Sequence, residues 1–378
     1  MRPYKRALQL APLIKQSSYF LFGPRATGKT SLLRTQLPGV KYFDLLDTDT
    51  YDEFLRRPAA LGEQIRSSDK VVVIDEIQRL PRLLDEVHRL IESKKVRFLL
   101  TGSSARKLKR QQANLLGGRA RELQLYPLTW KEISDFDLLR YLNFGGLPLI
   151  YRSKSPQEDL RAYVRVYLAE EIKAEALVRN FERFVRFLEV MSTVSGQEIN
   201  YASIASDAGV PVRTVENHIE VLKDTLMAFE LLPFTKTVKR KAVSRSKFYF
   251  FDIGVANYLA ERIPFREGST DAGLAFEHFI INEVRAYLSY NRLDKKLSYW
   301  RSGTYEVDLI VGKELAIEIK FTKTLKNELF RGLSALKEEG LIRRHLLVGR
   351  FKSAGVWQNI EYFPYESFLK RLWDGSLL

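Results

Sequence analysis

The sequence predicts an α/β protein of three modules, and three observations predict it. A glycine-bracketed loop joins a buried strand to a helix near residues 19–33. Helix-turn-helix spacing followed by a cationic run fills the middle, and charged residues at strand period mark the C-terminal part. A length of 378 residues exceeds what one hydrophobic core usually supports. With 45% hydrophobic and 28% charged residues, collagen-like and low-complexity classes are excluded. No apolar run reaches the roughly 18 residues of a membrane span, and Met1-Arg2-Pro3-Tyr4-Lys5-Arg6 leads into no signal-peptide core. A cytoplasmic location and no membrane partner are therefore expected. The absence of cysteine excludes disulfides, thiolate metal sites and cysteine nucleophiles, and the four histidines (His88, His218, His278, His345) are scattered without ligand spacing. Any metal should be oxygen-bound, most simply Mg²⁺. A net charge of +15 favours an anionic partner, since lysine and arginine gain affinity for nucleic acid by releasing counterions.

Tyr19-Phe20-Leu21-Phe22 reads as a short buried strand, and Gly23-Pro24-Arg25-Ala26-Thr27-Gly28-Lys29-Thr30-Ser31 follows before an apolar helix start. Gly23 and Gly28 allow backbone conformations that aim successive amides at phosphate oxygens at a helix N-terminus. Lys29 would reach the β- and γ-phosphates of ATP, and the Thr30 hydroxyl would ligate Mg²⁺. Lys70-Val71-Val72-Val73-Ile74-Asp75-Glu76 is a β-branched run ending in two carboxylates, which reads as a buried parallel strand. Asp75 would hold Mg²⁺ through water and Glu76 would polarise the attacking water. A third strand, Val96 to Leu100, ends in Thr101-Gly102-Ser103-Ser104, where Ser103 or Ser104 would sit beside the γ-phosphate.

This order of motifs, followed by Leu116-Gly117-Gly118-Arg119 and Leu125-Tyr126-Pro127-Leu128-Thr129, resembles a group of bacterial and archaeal AAA+ ATPases that carry a large C-terminal region. The resemblance implies a P-loop AAA+ domain with a five-stranded parallel sheet and with Ser103 or Ser104 as nucleotide sensor. Arg119 matches an arginine of that group. It would contact phosphate in its own subunit, or in a neighbour's within a homo-oligomeric ring or dimer, or lie free on a glycine loop.

Ser155-Pro156-Gln157-Glu158 announces a helix running to about Val178, and a second helix covers Phe181 to Val194. Tyr201 to Val215 then has helix-turn-helix spacing, with Gly209 at the turn and Val215 and Ile219 returning to the core. Arg213, Thr214, Asn217 and Lys223 would face outward toward a DNA groove, although Glu216 and Glu220 on the same face would repel phosphate. Between strand-like Phe229–Phe234 and Phe248–Phe251 stand Lys236, Lys239, Arg240, Lys241, Arg245 and Lys247 with no acid among them. They read as the basic wing of a winged-helix connector contacting DNA, or as a solvated hairpin tip.

From Thr270 onward the pattern changes, to a helix over Asp271 to Leu288 and then three strands. If Gly312-Lys313-Glu314 forms a hairpin loop, Asp308 stands opposite Glu318 and Glu306 opposite Lys320. Two such carboxylates repel unless a cation binds, and Mg²⁺ takes oxygen ligands of this kind. Asp308, Glu318 and Lys320, with Glu277 upstream, resemble the restriction-endonuclease-like nuclease superfamily. That resemblance implies Asp308 and Glu318 as metal ligands and Lys320 as a catalytic cation. A salt-bridged remnant that no longer cuts is the other reading.

The expected modules are an ATPase at residues 1–149, a helical and winged-helix connector at 150–266 and a nuclease-like α/β domain at 267–378. Together they point to an Mg²⁺-dependent ATPase that couples hydrolysis to binding or remodelling DNA, branched DNA included. The alternative is a nucleotide-switched regulatory or defence protein whose C-terminal domain binds a partner and is catalytically silent.

Overall fold

The computed structural model describes residues 3–103, 116–168, 181–264 and 267–378. The chain divides into two compact units, residues 1–128 with 224–227, and residues 129–223 with 228–378.

In the first unit, strands β1 (Ser18–Phe22), β2 (Lys41–Asp44), β3 (Val71–Asp75), β4 (Arg97–Gly102) and β5 (Ala120–Gln124) form one sheet in the order β2-β3-β4-β1-β5. Each ladder is parallel, as expected. Parallel neighbours need crossovers, and helices α1 (Lys29–Gln36) and α2 (Leu83–Lys94) serve after β1 and β3. β1 is buried at every position, as a strand covered on both faces of a parallel sheet is. Leu83, Val87 and Leu90 of α2 join Ile74, Phe98 and Leu100 in one hydrophobic cluster. The two edge strands, β2 and β5, have mixed sequences with partly exposed positions, and periodicity alone does not announce them.

The second unit contains the expected helix-turn-helix, α3 (Tyr201–Ala208) and α4 (Val212–Asp224). Asn200 caps α3 by accepting from Ser203 N at 3.3 Å, and Gly209 ends it at φ +64°, a left-handed conformation natural to glycine. Val215 and Ile219 turn into the core. Strands β6 (Ala228–Pro233) and β7 (Lys247–Phe250) pair antiparallel. After helix α5 (Thr270–Tyr290) come β8 (Leu297–Ser302), β9 (Tyr305–Val311) and β10 (Leu315–Lys320). Helix α6 (Arg331–Lys337), strands β11 (Arg344–Gly349), β12 (Gly355–Trp357) and β13 (Ile360–Pro364), and helix α7 (Tyr365–Trp373) complete the unit.

Among the described residues, the eight strands of this unit form a single sheet, β12-β13-β11-β10-β9-β8-β6-β7. β6 meets β8 in parallel at Leu232–Ser298 and Pro233–Tyr299. Strands from both sides of residue 266 thus share one layer. The β9–β10 hairpin has the expected register, pairing Val311 with Leu315, Ile310 with Ala316 and Leu309 with Ile317, and the ladder stops there. Glu306 does not face Lys320, contrary to expectation. It lies across from Arg301 on β8, because the ladder gives way before β9 reaches it.

Candidate functional site

The phosphate loop lies between buried β1 and the N-terminus of α1. Gly23 has no room for a side chain, since a Cβ would meet the Leu125 carbonyl oxygen at 2.7 Å. Gly28 caps α1 at φ +94°, and Ala26 is also left-handed at +63°. The Lys29 ammonium is folded over the loop and donates to Gly23 O at 2.6 Å and Pro24 O at 3.2 Å. Arg6, a residue that carried no sequence signal, braces the loop from below. Its guanidinium donates to Thr27 O and Tyr126 O, each at 2.6 Å, while only 5% exposed.

Asp75, 2% exposed at the tip of β3, is the hub beneath this loop. It accepts from Thr30 Oγ1 at 3.0 Å, from the Tyr42 hydroxyl on β2 and from the Thr101 hydroxyl on β4. The Tyr42 phenol is driven far above its ordinary pKa, first by burial and then by the Asp75 carboxylate, so it remains a donor. Thr101 Oγ1 also accepts from Glu76 N at 3.1 Å. Glu76 sits in the left-handed region at φ +60°, which costs a non-glycine residue about 1–2 kcal/mol. Gln78 Nε2 links the Glu76 carboxylate to Ser103 Oγ, the latter at 3.2 Å. Ser103 is therefore joined to Glu76 through Gln78, while Ser104 lies outside the described residues. Thr30 and Asp75 bring a hydroxyl and a carboxylate within hydrogen-bond distance, a donor set that suits Mg²⁺ with waters and phosphates as its remaining ligands. Arg119 pairs with Glu92 on α2 in this same chain. Arg25 and Ser31 belong to the loop and to the first turn of α1.

A second polar centre forms inside the second unit. Asp308 on β9 accepts from Ile319 N at 2.8 Å and from Lys320 Nζ at 3.0 Å, and the same ammonium reaches Glu318 Oε1 at 2.7 Å. Asp308 and Glu318 are 3% and 6% exposed. Burial alone would raise Asp308, but Lys320 and Lys247 outweigh it and hold its pKa below the ordinary value. Glu318 goes the other way, raised well above its usual range by burial and then by Asp308. Its Oε2 atom is buried without a hydrogen-bond partner. Glu277 on α5 joins this centre through β7, where Tyr249 Oη donates to Glu277 Oε1 at 2.6 Å and Lys247 Nζ at 3.1 Å. Among the described residues no three Asp, Glu, His or Cys side chains converge as a metal-holding group. Asp308 and Glu318 still suit Mg²⁺, which is commonly held by one or two carboxylates plus substrate phosphate, and the orphan Glu318 oxygen is a ready acceptor.

With this geometry in view, residues 15–134 match the family model of the AAA domain. Most of the first unit falls inside this match, so its parallel sheet and glycine loop are those of a chain similar to the AAA domain. Behind the AAA domain, residues 135–265 and 272–366 match two models described only as domains of unknown function. Similar chains include an uncharacterized protein of Mycobacterium tuberculosis, 25% identical over 332 residues, covering 85% of this chain and 73% of that one. Another, from Methanocaldococcus jannaschii, is 26% identical over 335 residues and covers 79% and 73%. Solved structures that resemble the chain include replication initiator DnaA bound to AMPPCP and single-stranded DNA, at 12% identity and TM-score 0.30 over 58% of this chain and 90% of that one. A Pyrococcus horikoshii signal-transduction ATPase of the STAND class with a tetratricopeptide repeat sensor matches at 14% identity and TM-score 0.22, covering 78% and 48%.

The cationic run behind the AAA domain is only partly the exposed wing expected. Lys236, Lys239, Lys241 and Arg245 are exposed. Arg240 is drawn down to Ala335 O at 3.0 Å and to Glu338, and Glu339 accepts from Val238 N and Lys239 N at 2.9 and 3.0 Å. Lys247 departs from the expected wing: it is 4% exposed and bound to Glu277 and Glu306, because β7, on which it stands, is buried at all four positions. Lys223 likewise serves Glu220 at 2.7 Å and Glu230 at 3.1 Å, whereas Arg213 and Asn217 stay exposed. Among residues the sequence did not single out, Glu283 is 1% exposed and accepts from Trp130 N and Trp373 Nε1, each at 2.7 Å. Burial pushes its carboxyl up to about 8.

Proposed function

We propose that the chain is an Mg²⁺-dependent ATPase that couples hydrolysis to binding or remodelling DNA. The observation that carries the first half is the network under the phosphate loop, in which Thr30 Oγ1 meets Asp75 at 3.0 Å and Gln78 links Glu76 to Ser103. When bound, Mg²⁺ supplies charge neutralisation between the β- and γ-phosphates. Lys29, released from Gly23 O and Pro24 O, turns its ammonium to those phosphates. Backbone N–H groups of residues 25–31 would cradle them, Thr30 and Asp75 would hold the metal, and Glu76 would orient water for in-line attack. Ser103, tied to Glu76 through Gln78, senses the γ-phosphate. Arg119 would have to leave Glu92 to act as a finger in a dimer or ring.

The DNA half rests on the four exposed cations of the strap at residues 236–245, in a chain of net charge +15. We read the helix-turn-helix with its hairpin as a winged-helix module and the Asp308–Glu318–Lys320 face as a restriction-endonuclease-like centre in a cytoplasmic protein. There, Asp308 and Glu318 would hold Mg²⁺ and Lys320 would bear on the phosphate. A second reading, a nucleotide-switched protein with a silent C-terminal domain, is favoured by one observation: Lys320 already bridges both carboxylates.

The test incubates the full chain with ATP, Mg²⁺ and labelled linear, forked and four-way DNA, following hydrolysis, remodelling and cleavage together. DNA-stimulated hydrolysis with binding at low salt is expected. Hydrolysis indifferent to every DNA, with no binding, sinks the DNA half, and hydrolysis persisting in Lys29→Ala sinks the ATP site. Cleavage lost in Asp308→Ala supports the nuclease centre, and absence of cleavage in the wild type favours the silent reading.

A further inference from the structure

Four carboxylates and two ammoniums meet where α5, β7, β9 and β10 come together, and the two ammoniums are held very differently. The Lys320 side chain, at the rim, is 36% exposed, and it bridges Asp308 and Glu318. A long, partly solvated lysine swings into water when a stronger cation arrives, with little loss of hydration. Lys247 lies inside. Its side chain is 5% exposed, and its Nζ is 3.1 Å from Glu277 Oε1 and 2.6 Å from Glu306 Oε1.

Its backbone is held as well. Besides pairing with β6, β7 exchanges hydrogen bonds with the segment before α3, from Gly196 N to Phe248 O at 2.7 Å and from Phe248 N to Gln197 O at 3.1 Å. Lys247 is thus fixed on a strand paired on both sides, and moving its ammonium would leave the buried Glu277 carboxylate uncompensated. Glu277 Oε1 also accepts from Tyr249 at 2.6 Å, so β7 supplies both of the donors described on that oxygen. Beside this saturated half, Glu318 Oε2 is buried without a hydrogen-bond partner.

We propose that Lys247 stands in the second cation position of the cluster, so that the centre takes a single divalent cation, at Asp308 and Glu318, while Glu277 stays with the lysine. The proposal rests on reading the Asp308–Glu318 face as cation-binding. It also makes the strand before the C-terminal module part of the centre, as a positioning element for Glu277.

The test counts Mn²⁺ by equilibrium dialysis of the full chain, without nucleotide, in an Asp75→Asn background that silences the phosphate-loop centre. One ion per chain is expected, lost in Asp308→Asn. With Lys247→Met the count should rise to two, since Glu277 and Glu306 then face each other with no cation between them. If that variant is unfolded in EDTA, Mn²⁺ should restore its cooperative melting transition, and failure to do so overturns the proposal. A wild-type count of zero, or an ion that survives Asp308→Asn, refutes the cation-binding reading itself. Two ions in the wild type that disappear with Asp308→Asn, or one ion unchanged in a folded Lys247→Met, overturn the role of Lys247 and leave the Asp308–Glu318 site standing.

Discussion

Asp75 shows how much one side chain carries at the residue scale, because three hydroxyls from β2, β4 and α1 converge on its carboxylate. Replacing Thr101 by Val keeps shape and removes two hydrogen bonds, one to Asp75 and one from Glu76 N. Thr101→Val should lose about 1–3 kcal/mol in urea unfolding and reduce kcat for ATP hydrolysis more than it raises KM. Lys29→Ala should lower hydrolysis by on the order of 10²–10³-fold, the scale of removing one preorganised charge contact, measured as steady-state phosphate release. Glu283 offers a pH test. Its folded pKa of about 8 lies above the roughly 4.3 of an unfolded glutamate, so the folded state holds the extra proton between those values. Stability from this group is complete below the unfolded pKa and declines as pH rises toward 8. Asp252, raised to about 6 by burial, acts in the same direction only in the lower part of that window. The urea midpoint should therefore fall from pH 6 to 8, and Glu283→Gln should flatten that slope; an unchanged slope contradicts the assignment. Neither Glu283 nor Arg6 was legible beforehand, since each acts on backbone or indole groups distant in sequence that no local spacing reveals.

At the element scale, glycine decides where α6 rests. A Cβ on Gly332 would come within 1.8 Å of Glu306 O, so this helix lies directly on the backbone of β9. Gly332→Ala must push helix and strand apart, and a loss of about 1–3 kcal/mol or more follows from overpacking. Because β9 carries Glu306 and Asp308, Mn²⁺ binding should weaken together with stability, which calorimetry on the folded fraction would show. The elements that periodicity found were those with a strict pattern, the buried strands β1, β3 and β4 and the helix-turn-helix around Gly209. The β9–β10 register was also legible, because a three-residue loop leaves one pairing. The side-chain partners were not. Lys247 has the same charge as its neighbours in sequence and differs from them only in facing inward.

For the whole molecule, the exposed strap gives a salt-dependence prediction. Each phosphate contact contributes roughly 0.9 to the slope of log affinity against log salt, so replacing Lys236, Lys239, Lys241 and Arg245 by Ala should lower that slope by about 3 to 4. ATP hydrolysis without DNA should be unchanged in this variant, and an unaltered slope would remove the strap from the DNA surface. The order of residues alone specified the phosphate loop, the acidic strand tip, the turn at Gly209 and the β9–β10 register, all set by contacts close in sequence or by alternation along a strand. Tertiary structure alone decided that β6 and β7 extend the C-terminal sheet, and that Lys247 leaves the cationic run to neutralise Glu277 and Glu306. The physical reason is common to both. A buried charge takes whichever partner the packed fold brings within reach, and for Lys247 those partners lie 30 and 59 residues away.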